Sequence, residues 1–224
     1  MKITIVYDNN SFNNNLTTDW GFASVIETNN RKILFDTGGS GKILLQNLID
    51  LNIDPSSIDD IVISHPDFDH IGGLATFLLL NETATIHIPI SFRGIRYPNE
   101  VKYYDKPTKI YENIYLSGEL DKREQSLAIK TEKGLVLIIG CGHPGVEKII
   151  NSVSEFGDVF AIIGGLHGFK EFDILKDINY VCPTHCTKYI DKIHSLYPKK
   201  YIEGGVGKII ELWNKNVYGT VAVQ

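Results

Sequence analysis

Cysteine is scarce in this chain of 224 residues: Cys141, Cys182 and Cys186 are all it has. An odd count at so low a density excludes a small secreted fold held by disulfides. Long apolar runs are missing too. Nothing approaches the ~18 consecutive apolar residues that a bilayer-spanning helix needs. The opening MKITIVYDNN has one lysine and a five-residue apolar stretch before Asp8, too short for a signal peptide and suited to a first strand. A cytoplasmic protein without a membrane partner is the expectation. Excess positive charge is absent, with 22 Lys and Arg against 27 Asp and Glu and a net charge of −5. That balance argues against a nucleic-acid partner, which wants a basic face. Internal repeats, low-complexity tracts and linkers are not evident. With 43% apolar residues, one domain over 1–224 has enough material for a substantial core.

Periodicity supplies the elements. Strands are predicted at 2–7, 21–28 and 32–35, the last two joined by a turn at Asn29-Asn30. After the glycine turn Asp36-Thr37-Gly38-Gly39-Ser40, apolar residues recur on a helical stripe over 43–51. A strand over 60–64, a helix over 74–80 and a strand over 85–88 follow. The middle, 89–122, holds Pro89, Pro98 and Pro107 and reads as short strands plus an excursion able to cover a site. Strands at 126–131, 135–139, 158–163 and 180–182 then alternate with helices at 145–156, 170–177 and 188–196. The apolar run 217–223 suits an edge strand or an interface; the oligomeric state is open. Two sheets packed on each other, with helices outside, satisfy this α/β (α+β) layout.

The densest chemistry is Ser64-His65-Pro66-Asp67-Phe68-Asp69-His70, two imidazoles and two carboxylates directly after the apolar Ile61-Val62-Ile63 and before Gly72-Gly73. Imidazole and carboxylate suit zinc, iron or manganese. A polar loop without metal is the plainer alternative for this segment alone. Three more histidines share its context, each after an apolar run and beside glycine or proline: His143 in GCGHPG, His167 in GGLHG and His185 in PTHCT. Strand ends on one edge of a sheet converge in space, and ligands bind there. Five histidines so placed point to a shared divalent-metal site. His87, inside a strand, and His194, on a helix, lack the context and read as structural. The cysteines flank His143 and His185 but read as packing groups rather than ligands.

FDTGG, SHPDFDHIGG, GCGHPG, GGLHG and PTHCT, in this order and spacing, resemble the metallo-β-lactamase superfamily, and within it most the dihydropterin-ribofuranosylaminobenzene phosphate synthase-like branch. The resemblance implies a four-layer αββα sandwich with its site at the shared edge of two sheets. The family motif is HxHxDH; here Asp67 stands at the second histidine. Carried over residue by residue, His65, Asp67 and His143 would hold one ion, and Asp69, His70 and His185 a second. The usual bridging Asp has no clear match, which leaves His167 as a substituted ligand or a substrate contact. Asp36 would fix the ligand loop by hydrogen bonds rather than bind metal. The cofactor implied is one or two divalent ions, zinc, iron or manganese. Asp67, charged and harder than imidazole, shifts preference toward iron or manganese, or fails to reach its ion. A carboxylate there also resembles the HxExDH of flavodiiron oxygen reductases.

The implied activity is metal-dependent hydrolysis, with metal-activated water attacking a carbonyl or phosphoryl centre of a small metabolite. Asp69 and His167 are the candidate catalytic residues. Arg93, Arg96 and Tyr97, with Tyr103 and Tyr104, are candidates for contacting a phosphorylated or flat-ringed substrate. Two rivals are a di-iron redox protein needing an external electron donor and a non-catalytic binding or sensing module.

Overall fold

The computed structural model describes residues 1–28, 30–93 and 97–211. Among the described residues, thirteen strands form two mixed sheets. In the first, β1 (Lys2–Tyr7), β2 (Ala23–Glu27), β3 (Lys32–Phe35), β4 (Asp60–Val62), β5 (Thr85–Pro89) and β6 (Val101–Tyr104) lie in sequence order, with β13 (Ile209–Glu211) outside β1. In the second, β7 (Thr108–Tyr111), β8 (Ile114–Leu116), β9 (Leu127–Thr131), β10 (Gly134–Ile139), β11 (Val159–Gly165) and β12 (Tyr180–Thr184) also run in order.

Alternation along each strand sorts the side chains into layers. Ile33, Phe35 and Val62 of the first sheet meet Val136, Ile138 and Ile163 of the second in a common inner core. Leu34, Ile61 and Ile63 point the other way, onto α1 (Gly41–Asp50) and α3 (Leu74–Leu78). Leu135, Leu137 and Ile139 likewise pack on α4 (Val146–Val153) and α5 (Ile190–Leu196). Strand β10 is therefore covered on both faces, and its residues 135–139 are all fully buried. An uninterrupted aliphatic run suits such a strand, each side chain contributing ~1.5–3 kcal/mol of burial. The result is an αββα sandwich.

Strand direction sets the working edge. Strands β3, β4, β5 and β6 are parallel, as are β10, β11 and β12, and β1 runs the same way as β3 through its antiparallel neighbour β2. The segments leaving the carboxyl ends of β1, β3, β4, β10, β11 and β12 carry Asp8, Asp36, His65, His143, His167 and His185.

Several elements differ from expectation. The 170–177 helix is only a 3-10 turn, Phe172–Lys176, because Leu175 alone is buried there and no apolar stripe holds it down. The 145–156 helix gives way after Val153 to a 3-10 turn ending before Gly157, whose φ of 148° no α-helix permits. The middle segment is mostly edge strand: β6 extends the first sheet, and β7 and β8 the second. Within the histidine motif, Phe68–Ile71 forms a short helix, α2, which the sequence reading missed. His87 is structural, its ring held between Asp60 Oδ1 at 2.9 Å and the Tyr104 hydroxyl at 2.8 Å. Asn29 and the run 217–223 lie outside the described residues. No helix among those described is long and apolar enough to cross a membrane.

Candidate metal centre

Four imidazoles gather at this edge, each fixed through Nδ1. Asp36, at φ 55° just past β3, accepts from the Ser64 amide and hydroxyl, both at 2.7 Å, and its Oδ2 lies 2.7 Å from His70 Nδ1. With the Ser64 proton given to Asp36, the serine oxygen is left to accept from His65 Nδ1 at 2.8 Å. Glu124 accepts from His143 Nδ1 at 2.9 Å and from the amides of Cys141, Gly142 and His143. Asn9 donates through Nδ2 to the His185 carbonyl and accepts through Oδ1 from His185 Nδ1 at 3.0 Å. An acceptor opposite each Nδ1 puts the proton there and leaves Nε2 as a lone pair. This is how ligand histidines are oriented by the groups behind them.

Those Nε2 atoms face one another. His65 Nε2 and His185 Nε2 are buried and have no hydrogen-bond partner, an arrangement that costs ~1–3 kcal/mol per group unless something fills it. The His65 ring lies 4.1 Å from that of His70 and 4.8 Å from that of His143; His70 lies 5.0 Å from His185. Asp67 Oδ2 stands 3.4 Å from His65 Nε2, and Asp69 Oδ2 stands 3.3 Å from His185 Nε2 and 3.8 Å from His70 Nε2. Two ligands each ~2.0–2.1 Å from one tetrahedral zinc lie ~3.4 Å apart. The ligand atoms of His65, Asp67 and His143 all fall within 4.8 Å of one another, as do those of Asp69, His70 and His185. These donors fit divalent cations, and the sequence-predicted ligands are thus brought together in the two expected groups.

Electrostatics favours the binding forms at His65, Glu124 and Asp69, and opposes the neutral form at His70. Burial, then the neighbouring His70 charge, brings His65 down to about 4, so its ring is neutral at pH 7. Burial pushes Glu124 up, but the His143 hydrogen bond, the His65 charge and the loop amides outweigh it and hold the carboxyl at about 2. Asp69, despite partial burial, is held below the ordinary carboxylate range by His185 and His70. Burial opposes protonation of His70, yet the adjoining Asp36 raises it overall. Asp8, raised to about 6 by burial, accepts from the His185 amide.

Other predicted residues fall elsewhere. His167 is exposed at the rim, its ring 5.0 Å from that of His143, hydrogen-bonded to Cys186 and outside both ligand groups. With Gly142, His143, Phe169 and Glu171 it lines a cavity of about 290 Å³. Arg93 lies over the Tyr103 ring, 5.5 Å from its centroid, and Tyr97 packs on the helix-side core of the first sheet. Tyr104 is committed to His87. Arg96 lies outside the described residues. Sequence reasoning missed Asn9, Glu124 and Arg123, none of which sits in a motif. It also missed two exposed aromatics at the mouth. Trp20, 59% exposed, meets the His185 ring at 5.1 Å. Phe68, 73% exposed, projects from the motif itself, and a side-chain carbon on Gly39 would touch both the Trp20 carbonyl and the Phe68 ring.

Comparison with known proteins agrees with this architecture. Residues 20–147 match the family model of the metallo-beta-lactamase superfamily, and the chain belongs to that superfamily. An uncharacterised protein of Methanocaldococcus jannaschii is 28% identical, covering 93% of this chain and 99% of its own length. A second protein of that organism, named 7,8-dihydropterin-6-methyl-4-(beta-D-ribofuranosyl)-aminobenzene-5'-phosphate synthase, is 24% identical over 93% of this chain and 95% of its own. The crystal structure of Tm1679, described as a metal-dependent hydrolase of the beta-lactamase superfamily, superposes with a TM-score of 0.76 at 23% identity, covering 96% of this chain and all of that one. The metallo-beta-lactamase fold protein YhfI of Bacillus subtilis gives 0.69 at 11% identity, covering 94% and 99%.

Proposed function

We propose that this protein is a metal-dependent hydrolase that cleaves a small metabolite at a carbonyl or phosphoryl centre. The observation that carries the reading is the convergence of four Nδ1-anchored imidazoles upon Asp67 and Asp69, two of them with buried Nε2 atoms that face a carboxylate at 3.3–3.4 Å without a well-formed hydrogen bond. His65, Asp67 and His143 would hold one cation, and Asp69, His70 and His185 the other. Bound there, such ions supply Lewis acidity and bring the pKa of coordinated water from ~16 toward ~7.

The protein's own groups do the rest. Asp69, partly exposed and kept ionised, can accept a proton from the attacking water or orient it. His167 borders the adjoining cavity and can donate to a leaving group seated in it. Trp20 and Phe68 offer apolar faces at the mouth, which suits a flat ring or acyl chain. The Arg123 guanidinium, bonded to Asp67 at 2.7 Å on the rim, suits a phosphate or carboxylate oxygen. Similarity to the dihydropterin phosphate synthase relative supports a flat, phosphorylated substrate class.

The test is a panel of lactones, thioesters and phosphate esters with protein reloaded with zinc, manganese or iron(II). Hydrolysis of one class, lost with chelator and restored by metal, is expected. Trp20→Ala should raise KM for ring-bearing substrates several-fold with little change in kcat, on the ~0.5–1.5 kcal/mol worth of an aromatic contact. Inertness of the metal-loaded protein toward the whole panel would count against the proposal.

A further inference from the structure

The two ligand groups leave one position undescribed, the point between them. Cys141 occupies it. Its Sγ lies 3.2 Å from His70 Nε2. Its sulfur also groups within 4.8 Å with ligand atoms of His65 and His70, one from each set, and separately with those of His185 and Cys186. The thiol is 4% exposed, and the space it enters is bounded by the unpartnered Nε2 atoms of His65 and His185, residues 0% and 4% exposed.

We propose that Cys141 is a thiolate ligand shared by the two cations, standing where a bridging carboxylate is missing. This assignment rests on the proposed metal centre. Geometry favours it: a nitrogen ~2.0–2.1 Å and a sulfur ~2.3 Å from one tetrahedral ion lie ~3.5 Å apart, near the 3.2 Å between His70 and Cys141. The backbone aims the sulfur there. The Cys141 amide donates to Glu124 Oε1 at 2.9 Å, and Gly165 donates to the Gly140 carbonyl at 3.2 Å. A side chain on Gly165 would come within 3.1 Å of Cys141 Cα, and one on Gly140 would strike Ser64 Oγ. The strand end is therefore clamped from both sheets and has little freedom to turn the thiol away.

Cys186 is the neighbouring alternative and lacks the shared position. Its sulfur groups with Cys141 and His185 but with no member of the first set; it accepts from the Cys141 thiol, hydrogen-bonds to His167 and lies 3.7 Å from the Cys141 carbonyl. On binding, the Cys141 S–H proton leaves to solvent as sulfur takes up the cations. The thiolate adds a negative charge and a soft donor, which moves the centre back toward zinc or iron and away from manganese, against the pull of Asp67.

Cobalt(II) titration of the metal-free full chain tests this. Wild type should bind two equivalents and develop a near-ultraviolet sulfur-to-cobalt charge-transfer band that grows with both. Cys141→Ser should lose the band and bind one equivalent at least ~10-fold more weakly, while Cys186→Ser keeps both. Two bound equivalents in wild type without the band would overturn the thiolate and leave the metal centre standing. A band growing with one equivalent alone, or persisting in Cys141→Ser, would likewise overturn the shared ligand. No cobalt binding by wild type would overturn the metal centre, and this proposal with it.

Discussion

The two candidate cation sites are built to different standards. Asp69, His70 and His185 form a committed set. His70 is fully buried and backed by buried Asp36, His185 is gripped by Asn9 and Asp8, and Asp69 Oδ2 already faces both Nε2 atoms. The set of His65, Asp67 and His143 is divided. Its two imidazoles are equally well anchored, but the Asp67 side chain is 41% exposed and paired with Arg123 at 2.7 Å. A carboxylate shared with a guanidinium binds a cation less tightly than one facing it alone. On the proposed ligand sets, the departure from the family motif predicts one tight ion and one looser ion.

The harshest way to break this comparison is to remove the committed set. His70→Ala or Asp69→Ala should abolish hydrolysis and release metal from both positions while far-ultraviolet circular dichroism stays native. Next in size is the support behind the divided set. Glu124 holds the whole 141–143 loop, and its carboxyl falls from 4.5 to about 2 on folding. A depressed carboxylate stabilises above the unfolded pKa and ceases to do so as pH falls through the folded one. Glu124→Gln should therefore cost the metal-free protein about 3 kcal/mol at pH 7. In urea titrations that penalty should shrink between pH ~4.5 and ~2; one unchanged across this window would contradict the role given to Glu124.

A smaller effect sharpens the contrast. Arg123→Ala frees Asp67 and should tighten the looser ion several-fold, within the ~0.2–1 kcal/mol of an exposed ion pair, leaving the tight one unmoved. Competition with a metal-indicator dye reads both constants, and equal shifts at the two sites would remove the distinction. Smallest is Asp67→His, which restores the family motif. It should shift preference from manganese toward zinc with little change in overall stability.

Legibility in the sequence followed the physics of each residue. The candidate ligands that gather at one edge are legible because loops at strand ends keep their chemistry in short, ordered strings such as SHPDFDH and GCGH. Asp36 was readable through FDTGG. Glu124 and Asn9 were not, since a buried acid in KREQS or an asparagine in YDNN differs from a solvated one only in what folds over it. Arg93 and Tyr97 carry only the weak signal of a polar and an aromatic residue in a long loop; the structure places Arg93 over Tyr103 and Tyr97 against the first sheet's helix-side core. Trp20 sits in no motif and reaches the site because β2 carries its preceding loop to the His185 ring. Layer order came from strand alternation and survived, whereas the 170–177 helix is shortened to the five-residue 3-10 turn Phe172–Lys176, in which Leu175 alone is fully buried.

Anomalous diffraction from crystals of protein purified without chelator tests the account most directly. The expected map has a full-occupancy peak bounded by Asp69, His70 and His185, and a weaker one bounded by His65, Asp67 and His143. A cation bound elsewhere, or the stronger peak at Asp67, would contradict it.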